Sequence, residues 1–277
     1  MLFTDVPSPH VSRLLADVAY TPFWLDDPDA PAPLPPLAND TRTDLLVVGG
    51  GFTGLWTALL AKQRNPERDV LLIDAGRIAH AGSGRNGGFV HASLTHGLAN
   101  GAARYPQEIA EIIRLGNANL DAIRAFVHTN NIDCDWRDSG ELEYAITEHE
   151  ARDVQDRVWT AQRFGEDQRW LTGDELRERI NAPHVIGANF EARSVSMVNP
   201  ARLAWGLRAA CIAAGVHIHE DTALQDIDVR NGRAVAHTPH ATITAQRVAL
   251  CTNAFRSPLP QVRRRVLPVY EIGRAHV

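Results

Sequence analysis

Cysteine is scarce. The 277 residues hold three, Cys134, Cys211 and Cys251, far apart and without a C-x-x-C pair. That spacing argues against a disulfide framework and a structural zinc site, and the expectation is a reduced, cytoplasmic protein. A basic excess is also missing. Lys+Arg is 28 against 33 Asp+Glu, a formal net charge of −5. Nothing here neutralises a phosphate backbone, so nucleic acid is not an expected partner. The triplet Arg263-Arg264-Arg265 is too short to alter this. No long apolar run exists either. The longest uncharged stretch, 45–61, contains four glycines and falls short of the roughly 20 residues that a membrane span needs. The first residues, MLFTDVPSPH, show neither the basic nor the apolar region of a signal peptide.

The length predicts about two domains with a sizeable core. Residues 1–43 read as an extension, and the proline-dense stretch 28–40 reads as a polyproline-type spacer on the surface. Leu45-Leu46-Val47-Val48 is a buried strand, a helix follows to about Arg64, and Val70-Leu71-Leu72-Ile73 is a second buried strand. Residues 75–104 read as one long loop. Ile109, Ile112, Ile113, Leu120, Ile123 and Val127 mark an amphipathic helix ending near Asn130-Asn131. Leu142, Tyr144 and Ile146 alternate like a strand with that face buried. Thr147-x-x-Glu150 and Thr172-x-x-Glu175 predict capping boxes on helices at 148–164 and 173–180. A strand near 184–191 follows. Asn199-Pro200 starts a helix that Gly215 stops. Strands at 216–220, 224–229, 233–237 and 247–251 complete the pattern, with a hairpin turn at Asn231-Gly232.

The strongest chemical signal is Gly49-x-Gly51-x-x-Gly54 with Asp74, set between a strand, a helix and a second strand. Gly49 permits the tight turn, Gly51 lets a pyrophosphate approach, and Gly54 lets helix and strand pack closely. The helix N-terminus, beginning at Phe52 and Thr53, offers free N–H groups to the pyrophosphate. Asp74 is placed to accept from ribose hydroxyls, with Ala75 and Gly76 following it. The motif alone leaves the dinucleotide open. The next segment, Ser83-Gly84-Arg85-Asn86-Gly87-Gly88, lets backbone N–H groups approach a large planar cofactor, and Ser83, Arg85 and Asn86 add polar contacts. Other candidates carry less. His217-x-His219 lacks further metal ligands, so no metal site is predicted. Ser83 has no nucleophile elbow. Trp56 and Trp205 read as core or interface, and Trp136, Trp159 and Trp170 as packing residues that are also placed to wall a ligand pocket.

These segments resemble the FAD-dependent family of D-amino-acid oxidase, glycine oxidase and sarcosine oxidase. The S-G-R-N-G-G string after G-G-G-F-T-G is most similar to the bacterial gamma-glutamylputrescine oxidase-like branch. Asn199-Pro200-Ala201-Arg202-Leu203 resembles that family's entry into the helix returning to the FAD domain. The segment from Gly215 to Thr222-Ala223-Leu224 resembles the strand whose following backbone touches adenine. The segment from Val248 to Thr252-Asn253-Ala254 resembles the strand and turn that reach the cofactor from beneath. The resemblance runs from about Asp44 to Tyr270 and is weak between 90 and 197.

It implies an α/β fold: a Rossmann-like FAD-binding domain of the glutathione-reductase type, made of 44–133 and 196–270, with an inserted α+β substrate domain of which 134–195 is a part. It implies oxidation of the C–N bond of an amine or amino acid by hydride transfer to flavin. Imine hydrolysis and reoxidation by oxygen or another acceptor follow. Asn86 stands where a histidine tethers FAD in the dimethylglycine dehydrogenase-like branch, so non-covalent FAD is expected. His80 and His91 lie nearby as alternative tethers or as pocket lining. No catalytic residue is named. The family continues past Pro268-Val269-Tyr270 into further strands, whereas 272–277 back-translates as ATC GGA AGA GCA CAC GTC, resembling a sequencing adapter. Residues 271–277 are therefore expected to be a non-native tail, and the chain an inactive, C-terminally incomplete fragment that exposes apolar surface. Two rival readings are a nicotinamide-dependent dehydrogenase and a non-catalytic remnant of a flavoprotein.

Overall fold

The computed structural model describes residues 8–14, 16–17, 21–95 and 97–267. The expected non-native tail, 271–277, lies outside the described residues, as do Tyr270 and its two predecessors.

A short helix α1 (Pro9–Leu14) and a single 3-10 turn at Phe23–Leu25 come first. The nucleotide-type unit follows: β1 (Thr41–Val48), α2 (Phe52–Arg64) and β2 (Val70–Ile73). Then come β3 (Phe89–His91), α3 (Leu98–Arg104), the long helix α4 (Ile109–Thr129) and β4 (Glu141–Ala145). Next are α5 (Glu148–Arg163), β5 (Gln168–Leu171), α6 (Gly173–Arg179), β6 (Gly187–Glu191) and β7 (Val195–Met197). Helix α7 (Pro200–Ala213) leads to β8 (His217–His219), the hairpin β9 (Asp226–Arg230) and β10 (Arg233–His237), β11 (Thr242–Leu250) and α8 (Pro260–Arg263).

The main sheet has six strands in the order β8-β2-β1-β11-β10-β9. The first four are parallel and the last two antiparallel. Alternation along β1 sends Val47 to one face and Leu46 and Val48 to the other. Val47 joins Leu55, Leu59, Leu72, Leu203 and Leu207 under α2 and α7. Leu46 and Val48 join Leu37, Leu71, Ile73, Ala236 and Ile243 on the opposite face. Burial on both faces is why β1 and β2 read as unbroken apolar runs. Each fully buried leucine here contributes about 1.5–3 kcal/mol.

Two smaller sheets complete the fold: β3 pairs with β7, and β4-β6-β5 form a three-stranded antiparallel sheet. The α/β class and the parallel nucleotide-type sheet agree with the sequence reading.

Several local expectations are corrected. Residues 75–104 are not one irregular loop but contain β3 and α3. Strand β1 begins at Thr41, because its first half pairs with β11 from Thr41↔Ile243 onward. The face expected to be buried on β4 is covered only at Leu142, which packs on the cluster of Leu171 and Phe190. Tyr144 is 57% and Ile146 52% exposed, while Ala145 is buried. Helix α5 supplies the reason: its Ala151 and Val154 cover Ala145. Thr147 forms the expected capping box with Glu150, whereas Thr172 makes no side-chain cap to α6. Asn199 caps α7 by accepting from the N–H groups of Ala201 and Arg202, each at 3.1 Å. The proline-dense segment lies along the domain surface as expected and is held there over 31–37. Its backbone is bonded to Arg77, Arg208, His219, Glu220 and Thr222, and Leu37 is buried.

Candidate functional site

The turn after β1 is dictated by close backbone approach. Gly49 has φ +110°, and a Cβ there would lie 2.6 Å from the carbonyl oxygen of Cys251. A Cβ on Gly54 would overlap the carbonyl oxygen of Gly49 itself. Any side chain at position 54 therefore forces α2 away from β1. Gly51 is the N-cap of α2 and offers no side-chain acceptor. Ser83 comes across instead: its Oγ accepts from the Phe52 N–H at 3.0 Å and would lie 2.8 Å from a Cβ on Gly51. Thr53 follows in the first turn of α2, where N–H groups lack intrahelical acceptors and the positive end of the helix dipole sits.

Asp74 ties the turn to the end of β2. One carboxylate oxygen accepts from the Gly50 N–H at 2.6 Å and the other from the Gly76 N–H at 2.8 Å. Each oxygen keeps a second lone pair for a hydroxyl donor. Ala75 between them is exposed. The strand-end segment after β8 docks on this corner. Thr222 N–H donates to the Asp74 carbonyl at 2.7 Å, and Asp221 N–H to the Gly76 carbonyl at 2.9 Å. Ala223 and Leu224 follow directly, both half-buried.

The loop 83–88 is knotted by Asn86. Its Nδ2 donates to the carbonyls of Gly82 and Ser83 at 3.1 and 2.8 Å, and its Oδ1 accepts from the Gly88 N–H at 2.8 Å. Gly84 is buried, Gly87 exposed, and Gly88 abuts the Val198 carbonyl. Arg85 donates from Nε to the His80 carbonyl at 2.6 Å and is otherwise exposed. After β11, the Cys251 N–H donates to the Val48 carbonyl at 2.8 Å, placing Thr252, Asn253 and Ala254 beside the Gly49 turn. Asn253 has φ +47° and is exposed.

The structure thus brings the segments named from sequence to one rim, at the carboxyl ends of β1, β2, β8 and β11. Strand β1 has β2 on one side and β11 on the other, which is the switch point where ligands bind in open α/β sheets.

Sequence reasoning missed the supports of this rim. Glu220 is buried and accepts from the N–H groups of Leu34 (2.7 Å) and Ile78 (2.9 Å) and from Arg77 Nε (3.1 Å). Arg208 lies 3.9 Å from it, buried, its pKa lowered by that burial. Trp24 Nε1 donates to the Asn86 carbonyl at 2.8 Å, and Leu25 packs on Gly84. No sequence signal announces these partners, because they lie up to 186 residues apart.

Other residues fall elsewhere. His217 faces Asp69 at 4.0 Å and His219 meets the Pro35 carbonyl at 2.9 Å, so the pair does not converge on one point. Burial pushes the Cys134 thiol up to about 11 and the Cys211 thiol up to about 12, so neither is a thiolate at neutral pH. The expectation of no metal ligands meets one departure. His91, Glu141 and Glu191 each bring a ligand atom within 4.8 Å of the others. They line a cavity of about 570 Å³ between α4, α5 and the three-stranded sheet, next to β3. No helix among the described residues is long and apolar enough to cross a membrane.

A dinucleotide-type α/β fold with its ligand rim at a switch point defines the class. Comparison with known proteins makes it specific: residues 44–273 match the family described as FAD dependent oxidoreductase, and the chain belongs to that family. It is 28% identical over 243 residues to gamma-glutamylputrescine oxidoreductase of Escherichia coli, covering 86% of this chain and 55% of that protein. It is 26% identical over 259 residues to the probable oxidoreductase OrdL of Haemophilus influenzae, covering 89% of this chain and 58% of the relative. The crystal structure of glycine oxidase from Geobacillus kaustophilus matches with a TM-score of 0.66 at 24% identity, over 77% of this chain and 56% of that one. The chain spans a little over half the length of these relatives.

Proposed function

We propose that the protein carrying this chain oxidises the C–N bond of an amine or amino acid with non-covalently bound FAD. The observation that supports this most is the shared rim. Five segments distant in sequence, around Gly49, Asp74, Ser83, Ala223 and Thr252, meet where a dinucleotide lies in such sheets. The residues present fit the cofactor: glycines clear the approach to the α2 N-terminus, and the side chain that reaches it is the small hydroxyl of Ser83. In this reading the first turn of α2, from Phe52 to Gly54, faces the pyrophosphate. Asp74 accepts from the ribose hydroxyls, with Ala75 and Gly76 beside it, and Ala223 and Leu224 flank the adenine. The loop Ser83-Gly84-Arg85-Asn86-Gly87-Gly88 and the turn Thr252-Asn253-Ala254 border the rest of the cofactor. Bound FAD supplies a hydride acceptor for the carbon bearing the nitrogen. The chain's own residues bind and orient, and the Asn86 knot holds the loop in one shape. Reoxidation falls to oxygen or another acceptor.

The same reading makes 44–133 and 196–270 the FAD-binding domain and 134–195 part of the substrate domain. The three-stranded sheet within 134–195 supports that division, since it shares no strand with the six-stranded sheet. The test is titration of purified protein with FAD and, separately, with NAD, followed by flavin fluorescence quenching and calorimetry. Stoichiometric FAD binding released by acid precipitation is expected. Binding of NAD in place of FAD overturns the reading, and flavin that stays with the precipitated protein overturns non-covalent attachment.

A further inference from the structure

The cavity beside β3 has a composition that the FAD rim does not explain. In the three-stranded sheet Glu141 pairs with Glu191, which pairs with Gln168 on its other side. Directly opposed residues share a face, so two carboxylates point the same way, an arrangement that destabilises a sheet on its own. Glu143 and Asn189 form the next pair on that face. Asn189 is 6% exposed; its Nδ2 donates to Gln168 Oε1 at 3.1 Å, while its Oδ1 has no partner. A buried acceptor left unpaired is uncommon in native proteins and calls for an explanation. Cations do not fill the need. Arg157, from α5, is bonded to Glu143 at 2.6 Å, and His91 lies 3.6 Å from Glu141. Glu166 adds a further carboxylate to the lining. The burial of Glu191, followed by the nearby charges of Glu166 and Glu141, pushes its carboxyl up to about 7. Across from these acceptors, Ile109, Ile112 and Ile113 of α4 form an apolar wall.

We propose that this cavity binds the ammonium end of an aliphatic amine, with Glu141, Glu191 and the Asn189 amide oxygen as acceptors and the isoleucines of α4 against the methylene chain. An ammonium group carries only donors, matching the unpaired Asn189 amide oxygen beside Glu141 and Glu191, whose present partners, His91 at 3.6 Å and the Gln168 Nε2 donor at 2.8 Å, leave carboxylate lone pairs free. A carboxylate in the same place meets repulsion from Glu141, Glu191 and Glu166. At about 570 Å³ the space is in the range of small-molecule pockets and far larger than one ion needs. The inference rests on the proposed function only for its consequence. If the cavity is the substrate's, the choice between amine and amino acid falls to amines with a free cationic end.

The experiment is calorimetric titration of the full-length protein with 1,4-diaminobutane, n-butyrate and Mn²⁺, with FAD binding measured on the same samples. Saturable binding of the diamine, none of butyrate, and about tenfold weaker diamine binding in both Glu191→Gln and Glu141→Gln are expected. Unfolding temperatures show that both variants are folded, and if one is not, the other carries the test. A folded protein that binds no diamine overturns the inference, as does diamine affinity unchanged in the folded variants. Mn²⁺ binding that the diamine does not displace also overturns it, in favour of a metal site on His91, Glu141 and Glu191. FAD binding without diamine binding rejects this inference alone. Diamine binding without FAD binding rejects the proposed cofactor alone.

Discussion

The six-stranded sheet and the three-stranded sheet are built on opposite economies. In the first, the strands that matter are apolar on both faces, and the turn is set by backbone proximity at Gly49 and Gly54. In the second, one face is occupied by Glu141, Glu143, Gln168, Asn189 and Glu191, and its character is set by which charged side chains meet. The first is intolerant of added atoms at its turn, and the second answers to charge, burial and neighbouring carboxylates pushing Glu191 up to about 7. A site made of backbone leaves a short motif in the sequence; a site made of converging side chains leaves almost none.

That contrast can be broken by experiment. The largest effect is expected for Gly54→Ala, whose methyl collides with the Gly49 carbonyl. It should cost about 4 kcal/mol and abolish FAD binding, checked by denaturant unfolding and flavin quenching. Glu220→Gln comes next. It leaves buried Arg208 without its countercharge and loosens segment 31–37, at about 3 kcal/mol, with faster hydrogen exchange at Leu34 and Ile78. Asn86→Ala unties the loop and should weaken FAD about tenfold while costing about 1 kcal/mol.

The pH response should separate the two regions. Glu191 faces His91, Glu141, Glu143, Glu166 and Gln168, and its folded carboxyl titrates near 7, above the ordinary 4.5. The folded state therefore holds the extra proton, and stability from this site falls as pH rises from about 4.5 through 7. Glu191→Gln should gain on the parent protein at pH 8 relative to pH 5 in thermal unfolding. A constant difference between the two pH values contradicts the assignment. The smallest effect belongs to Arg230→Gln in the exposed β9–β10 hairpin, which breaks only the 3.0 Å pair with Asp228, under about 1 kcal/mol.

The unequal legibility follows the same division. The β1-α2-β2 unit, the Asn199 cap and the Asn231-Gly232 hairpin were readable because each is decided within a few residues. The alternation on β4 held at Leu142 and failed at Tyr144 and Ile146, because α5 covers the other face at Ala145. Strands β5 and β7 are too short to announce themselves: β5 is Gln168-Arg169-Trp170-Leu171 and β7 is Val195-Ser196-Met197. Glu220, Arg208 and Trp24 act across long stretches of chain, and no local pattern encodes a partner at that distance.

The position of β11 carries one more consequence. It sits between β1 and β10, and Thr242 N–H reaches back across 202 residues to the Asp40 carboxylate. On the ribosome, β1 and β2 can pair early, but the other edge of β1 stays open until residues 242–250 have emerged. The turn after β1 is thus made well before the strand that locks it. Folding should be slow for its size, and nascent chains stalled before β11 should present a bare, apolar parallel edge, a natural substrate for chaperones.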